Sequence, residues 1–204
     1  MKEFVTLGTP PEPITTVISK SRFIARAQRA DTAEEAAAFV AETAKKYFDA
    51  THNCYAYIAG GAVKFSDDGE PGGTAGMPIL DAIKKQNLGN VCVVVTRYFG
   101  GTKLGAGGLV RAYSGAAGGI LSAAQKIKIR AVTPLEITVP YGLLKTVQAH
   151  AEKTAKVVSA EYAGSVKLKI YVPAADANDF TAAVTNLTNG QAKIAVGAEF
   201  LGEY

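Results

Sequence analysis

The chain has no apolar stretch long enough to cross a bilayer: its longest uncharged run, Ala112 to Gln125, is short and glycine-rich. The opening residues Met1-Lys2-Glu3-Phe4 lack the apolar segment of a secretion signal, so a cytosolic location away from membranes is expected. Two cysteines in 204 residues are too few for a disulfide framework, and Cys54 and Cys92 are expected as buried thiols. No internal repeat or low-complexity tract breaks the chain. What remains is globular in balance, 48% hydrophobic and 20% charged, and long enough for two small domains.

Hydrophobic periodicity predicts a strand over Ser21–Ala30, then a helix from the Asp31-Thr32 cap to about Tyr47 with Ala36, Phe39, Val40 and Tyr47 on one face. Cys54–Ile58 and Val63–Phe65 flank Gly60-Gly61 as a hairpin. A long loop runs from Ser66 to Gly76, followed by a helix from Pro78 to about Gln86. Val91–Val95, a continuous β-branched run apart from Cys92, predicts a strand covered on both faces. The glycine-dense segment Gly100–Gly108 leads into a helix over Leu109–Ala124, and Ile127–Val132 returns as a strand before Pro134.

From Leu135 the order is strand (135–139), helix (141–154), strands (157–162 and 166–172), helix (174–187) and strand (193–201). That βαββαβ order is the ferredoxin-like pattern. The expected division is therefore residues 1–133 and 134–204. Divided there, the first part carries 16 Lys/Arg against 11 Asp/Glu and the second 6 against 7. The positive excess is N-terminal and compatible with an anionic partner.

Two loops concentrate the unusual residues. In the first, Asp67, Asp68 and Glu70 offer hard oxygen ligands and Thr74 a hydroxyl, as for a cation or a partner; the alternative is a solvated turn. The spacing does not match a calcium loop, and no metal site is expected. In the second, Arg97, Lys103, Gly105, Gly107, Gly108 and Arg111 combine cationic donors, approachable backbone and a helix start, the ingredients of an anion or nucleic-acid site. The segment matches neither dinucleotide-binding nor P-loop spacing, and glycines serving tight helix packing are the equal alternative. His52 and Cys54 share one strand face but lack an orienting third group, and His52, Cys54, Cys92 and His150 form no zinc pattern. No catalytic residue and no cofactor is assigned.

Lys20-Ser21-Arg22-Phe23, His52-Asn53-Cys54-Tyr55, Asp67-Asp68-Gly69-Glu70-Pro71, Arg97-Tyr98-Phe99-Gly100-Gly101 and Arg111-Ala112-Tyr113 together resemble the YigZ/IMPACT family. The resemblance implies an α+β protein. Its N-terminal domain would be a two-layer sandwich like that of a small-subunit ribosomal protein and of GHMP-type kinases. Its C-terminal domain would be ferredoxin-like, similar to one of elongation factor G. It further implies a role in translation or its regulation, through RNA or the ribosome. A protein-binding adaptor, as among the eukaryotic relatives, and an enzyme acting on a phosphorylated small molecule are the alternatives.

Overall fold

The computed structural model describes residues 3–203. The described residues divide into two compact units, residues 5–127 and residues 128–203 together with residues 3–4. Among the described residues no helix is long and apolar enough to cross a membrane.

In the first unit the elements are β1 (Phe4–Leu7), β2 (Ile14–Ile18), β3 (Ser21–Arg29), α1 (Ala33–Lys46), β4 (His52–Ala59), β5 (Ala62–Ser66), α2 (Gly76–Lys85), β6 (Val91–Tyr98) and α3 (Gly105–Ala123). Five of the strands form an antiparallel sheet in the order β2-β3-β6-β4-β5. Val91, Val93 and Val95 of the central strand pack with residues of α2 and α3, while Cys92 and Val94 pack with Ala36 and Phe39 of α1. Both faces are thus covered, which is why β6 is apolar throughout. Where the resemblance implies a two-layer sandwich, helices cover both faces of the sheet, α2 and α3 on one and α1 on the other. Thr32 caps α1 by accepting from the Glu35 amide at 3.2 Å, while the Glu35 carboxylate accepts from the Asp31 amide at 2.7 Å.

The second unit is built on β7 (Lys126–Val139), α4 (Tyr141–Thr154), β8 (Lys156–Tyr162), β9 (Val166–Pro173), α5 (Ala177–Leu187, entered through a 3-10 turn at 174–176), β10 (Lys193–Val196) and β11 (Phe200–Glu203). The antiparallel order β10-β7-β9-β8 is that of a ferredoxin-like sheet, with β11 pairing further along β7. One sheet face, carrying Leu135, Ile137, Leu168 and Ile170, is buried with Val147, Ala151, Phe180 and Val184 of α4 and α5.

Three boundaries differ from the sequence expectation. First, α3 starts at Gly105 rather than Leu109. Second, the strands expected over 127–132 and 135–139 are one strand, β7, which runs unbroken through Pro134; the two compact units divide at Ile127/Lys128. Third, the expected strand over 193–201 is two strands, because Pro134 has no N–H to offer a neighbour and the chain leaves the ladder opposite it. Register passes from Val196↔Leu135 to Phe200↔Val132, with the Gly197 amide donating to the Pro134 carbonyl at 2.9 Å. With these units the charge balance becomes 13 Lys/Arg against 10 Asp/Glu in residues 5–127 and 9 against 8 in the remainder. The N-terminal excess is smaller than a division at Thr133 implies.

Candidate functional site

The 67–75 loop joins β5 to α2; in it Glu70 and Thr74 are buried, Asp67 is half-buried and Asp68 is exposed. Asp67 accepts from the amides of Gly73 (2.8 Å), Ala75 (2.9 Å) and Gly76 (2.8 Å), so it caps the start of α2, a helix whose N-cap residue Ala75 has no capping side chain. Burial opposes charge on this carboxyl, yet the three N–H donors outweigh it and hold its pKa below the ordinary aspartate value. Asp68, in the left-handed region at φ 42°, accepts from the Asn53 amide at 2.5 Å. Thr74 donates to the Pro71 carbonyl at 2.6 Å. Gly76 lies so close to β5 that a Cβ would stand 2.7 Å from the Ser66 carbonyl oxygen.

Glu70 is the loop's anchor. It is 8% exposed and sits 2.7 Å from Nη1 of Arg97, itself 5% exposed. Tyr113 of α3 donates to the same Glu70 oxygen at 2.7 Å, and Arg97 Nη2 donates to Ser21 Oγ at 3.3 Å. The Cys54 thiol lies within reach of both the Tyr113 hydroxyl (3.3 Å) and the Asp67 carbonyl (3.0 Å). Burial raises the pKa of the Cys54 thiol and the Tyr113 phenol, so both stay protonated. His52 Nδ1 donates to the Asp68 carbonyl at 2.7 Å, which leaves Nε2 facing Glu70 Oε2 at 3.8 Å. The result is a buried acid–base network that ties four strands and loops to α3.

The structure places the predicted residues as follows. Asp67, Asp68, Glu70 and Thr74 each make a hydrogen bond or ion pair within the protein. Arg97 is buried and paired with Glu70. The sequence reading also gave no role to Tyr113 or Ser21, which complete the network. Both stand in the sequence boxes quoted above, and alternation along β6 places Arg97 on the α2/α3 side with Val93 and Val95.

Of the remaining second-loop residues, Lys103 and Gly105 line a cleft of about 350 Å³ together with Pro71, Phe99, Leu104 and Leu109, with Glu70 and Arg97 at its floor; Gly107, Gly108 and Arg111 lie outside its lining. The Arg97 guanidinium carbon lies 5.5 Å from the Phe99 ring centroid, and Phe99 is 48% exposed at the rim. Helix α3 opens onto this cleft with Gly105 at φ +70°, Leu104 as N-cap and no side-chain cap. The first helical N–H groups, at Gly105, Ala106 and Gly107, are therefore without an intrahelical partner, the Gly108 amide being the first placed to bond back to the Leu104 carbonyl. Lys103 and Arg111 are exposed, and Arg111 Nη1 comes within 3.6 Å of where a Gly107 Cβ would stand. A larger hollow of about 710 Å³ between α2 and α3 contains none of the predicted site residues.

Fold and cleft together define a two-domain α+β protein with a glycine-built helix start beside a buried ion pair. The family comparisons agree with that architecture. Residues 19–121 match the Impact N-terminal domain, and residues 137–191 match a domain of unknown function (DUF1949). The chain is 38% identical over 185 residues to IMPACT family member YvyE of Bacillus subtilis, covering 89% of this chain and 85% of that protein. It is 37% identical over 196 residues to IMPACT family member YigZ of Escherichia coli, covering 91% and 95%. A solved structure described as a crystal structure of a hypothetical protein superposes with TM-score 0.63 at 32% identity, covering 95% of this chain and 97% of that one. The chain belongs to the IMPACT family.

Proposed function

We propose that the protein is a non-catalytic binding protein of translation or its regulation, which takes an anionic partner, RNA or the ribosome, at the start of α3. The observation that carries this is the uncapped glycine-rich N-terminus opening on a cleft between exposed Lys103 and exposed Phe99. Unpaired N–H groups and the helix dipole favour a phosphate there, while a lysine adds charge and an exposed ring adds a stacking surface. Arg111, exposed nearly two turns into the helix and outside the cleft lining, adds a further cation near the helix start. Arg97 acts from below by holding Glu70, so that the 67–75 loop keeps its side of the cleft in place.

The cleft volume also suits a small phosphorylated molecule, which is the second reading. An enzyme of that kind would need a magnesium site, and the three loop carboxylates are spent on Gly73, Ala75, Gly76, Asn53 and Arg97. The test is the double variant Lys103→Ala/Arg111→Ala in the full chain. RNA affinity should fall, and the slope of log affinity against log salt should drop by about 1.4 for two lost single-strand phosphate contacts. Equal affinity of the parent for uridine monophosphate and for a long RNA would favour the small-molecule reading. A folded double variant that binds RNA, ribosomes and phosphate like the parent would leave the protein-adaptor role.

A further inference from the structure

The C-terminal sheet has one face without helices. Helices α4 and α5 cover the side of Leu135, Ile137, Leu168 and Ile170, and alternation sends the intervening residues to the other side. Register fixes three rows across that side: Lys193–Thr138–Lys167–Glu161, Ala195–Glu136–Lys169–Ser159, and Pro134–Tyr171–Lys156. Charge is segregated onto it. Of the six lysines after Thr133, four are in these rows and all four are exposed, whereas only two of the seven acids, Glu136 and Glu161, accompany them. Glu136 pairs with Lys167 at 3.3 Å, and Lys156 pairs with Glu203 at 3.5 Å. Lys169 and Lys193 make no ion pair among the described residues. In the middle of the third row stands Tyr171, half-buried, with its ring held edge-on by Phe200 at 5.0 Å.

We propose that this open face is a second contact surface, separate from the α3 cleft, and that its partner is single-stranded nucleic acid. A tyrosine on an inner strand, fixed by a neighbouring ring, offers a face on which one unpaired base can stack. Lys169 stands two residues before it on the same strand, and Lys193 stands on the far edge strand; both hold unpaired charge for the backbone. A duplex keeps its base faces covered and gains nothing from the tyrosine, so the strand is bound single. The polarised charge selects a polyanion although the unit as a whole is nearly neutral, which is why net charge gives no hint of the surface.

Fluorescence anisotropy on the full chain decides the matter, with a labelled 12-nucleotide oligouridine, a duplex RNA of equal length, and polyglutamate as competitor. Lys169→Ala/Lys193→Ala should weaken oligouridine binding and lower the salt slope by about 1.4. Tyr171→Leu should weaken it about tenfold with the slope unchanged. Thermal unfolding checks that each variant folds, and the lysine pair, being exposed, serves if Tyr171→Leu does not. Lys103→Ala/Arg111→Ala separates the two surfaces: a loss there with parental behaviour of Lys169→Ala/Lys193→Ala overturns the sheet proposal and spares the cleft, and the converse result does the opposite. Equal affinity for the duplex overturns the single-strand assignment. Polyglutamate competing as strongly as oligouridine would make the partner an acidic protein instead.

Discussion

Replacing Arg97 by methionine removes the countercharge of a carboxylate that is 8% exposed and leaves Tyr113 as its one remaining close donor. Breaking a buried pair by deleting one partner costs about 3–5 kcal/mol, because the other charge stays in the interior. For a domain of this size that is a fall in melting temperature of roughly 10–20 °C. Glu70→Leu strands the guanidinium in the same way and should cost about as much. The double variant Glu70→Leu/Arg97→Met leaves no charge behind, so it should recover a large part of the loss, with a coupling of at least about 2 kcal/mol. Urea unfolding followed by circular dichroism measures all four proteins, and an RNA-binding titration runs in parallel. An Arg97→Met protein of parental stability that has lost RNA binding would refute the reasoning, since Arg97 would then be a ligand contact and not a structural countercharge.

Asp67→Asn should destabilise by about 1–3 kcal/mol, as three backbone donors lose a charged acceptor. Because the folded pKa of Asp67 is depressed, its contribution is complete above the unfolded aspartate pKa and disappears as pH falls through the folded value; the Asn variant should lose this part of the acid dependence in a pH series of urea midpoints. Ellman's reagent should react with neither thiol in the native protein at pH 8 and with both after unfolding, because Cys54 and Cys92 are fully buried and burial pushes Cys92 up to about 12. The raised thiol pKa also predicts stability that is intact below about pH 9 and declines from there towards 12, since only the unfolded chain ionises freely in that window. Gly100→Ala should fold poorly or not at all: its Cβ would fall 2.0 Å from the Lys20 carbonyl carbon, a backbone atom that cannot step aside.

Where periodicity and punctuation agreed, the sequence was a sufficient guide. Helix α4 is bounded by Pro140 and a change to β-branched residues, and its expected span, 141–154, is the observed one. Strand β6 was legible because a strand covered on both faces needs no alternation. The start of α3 was not, because three glycines among residues 105–108 argue against helix by about 1 kcal/mol each. Packing overrides them: Leu109, Tyr113, Ala116 and Ile120 repeat along the buried side and bind the helix to the sheet. Strands β1 and β2 went unread, their short apolar segments being separated by Pro10, Pro11 and Pro13. At the site, residue types alone drew attention to both loops but did not show that Arg97, Asp67 and Glu70 are engaged within the protein. Only the fold shows that Glu70 points inward, since a carboxylate in a glycine-rich loop has no periodicity to betray its direction.

Backbone amide shifts of the full chain during titration with a 5′-phosphorylated oligouridine test the central assignment most directly, because they report on the donors themselves. The amides of Gly105, Ala106 and Gly107 should move in a saturable, salt-sensitive manner together with Lys103, while the amides around Arg97 and Glu70 shift little. If the oligonucleotide binds and perturbs other residues while these three amides stay unmoved, the start of α3 is not the anion site.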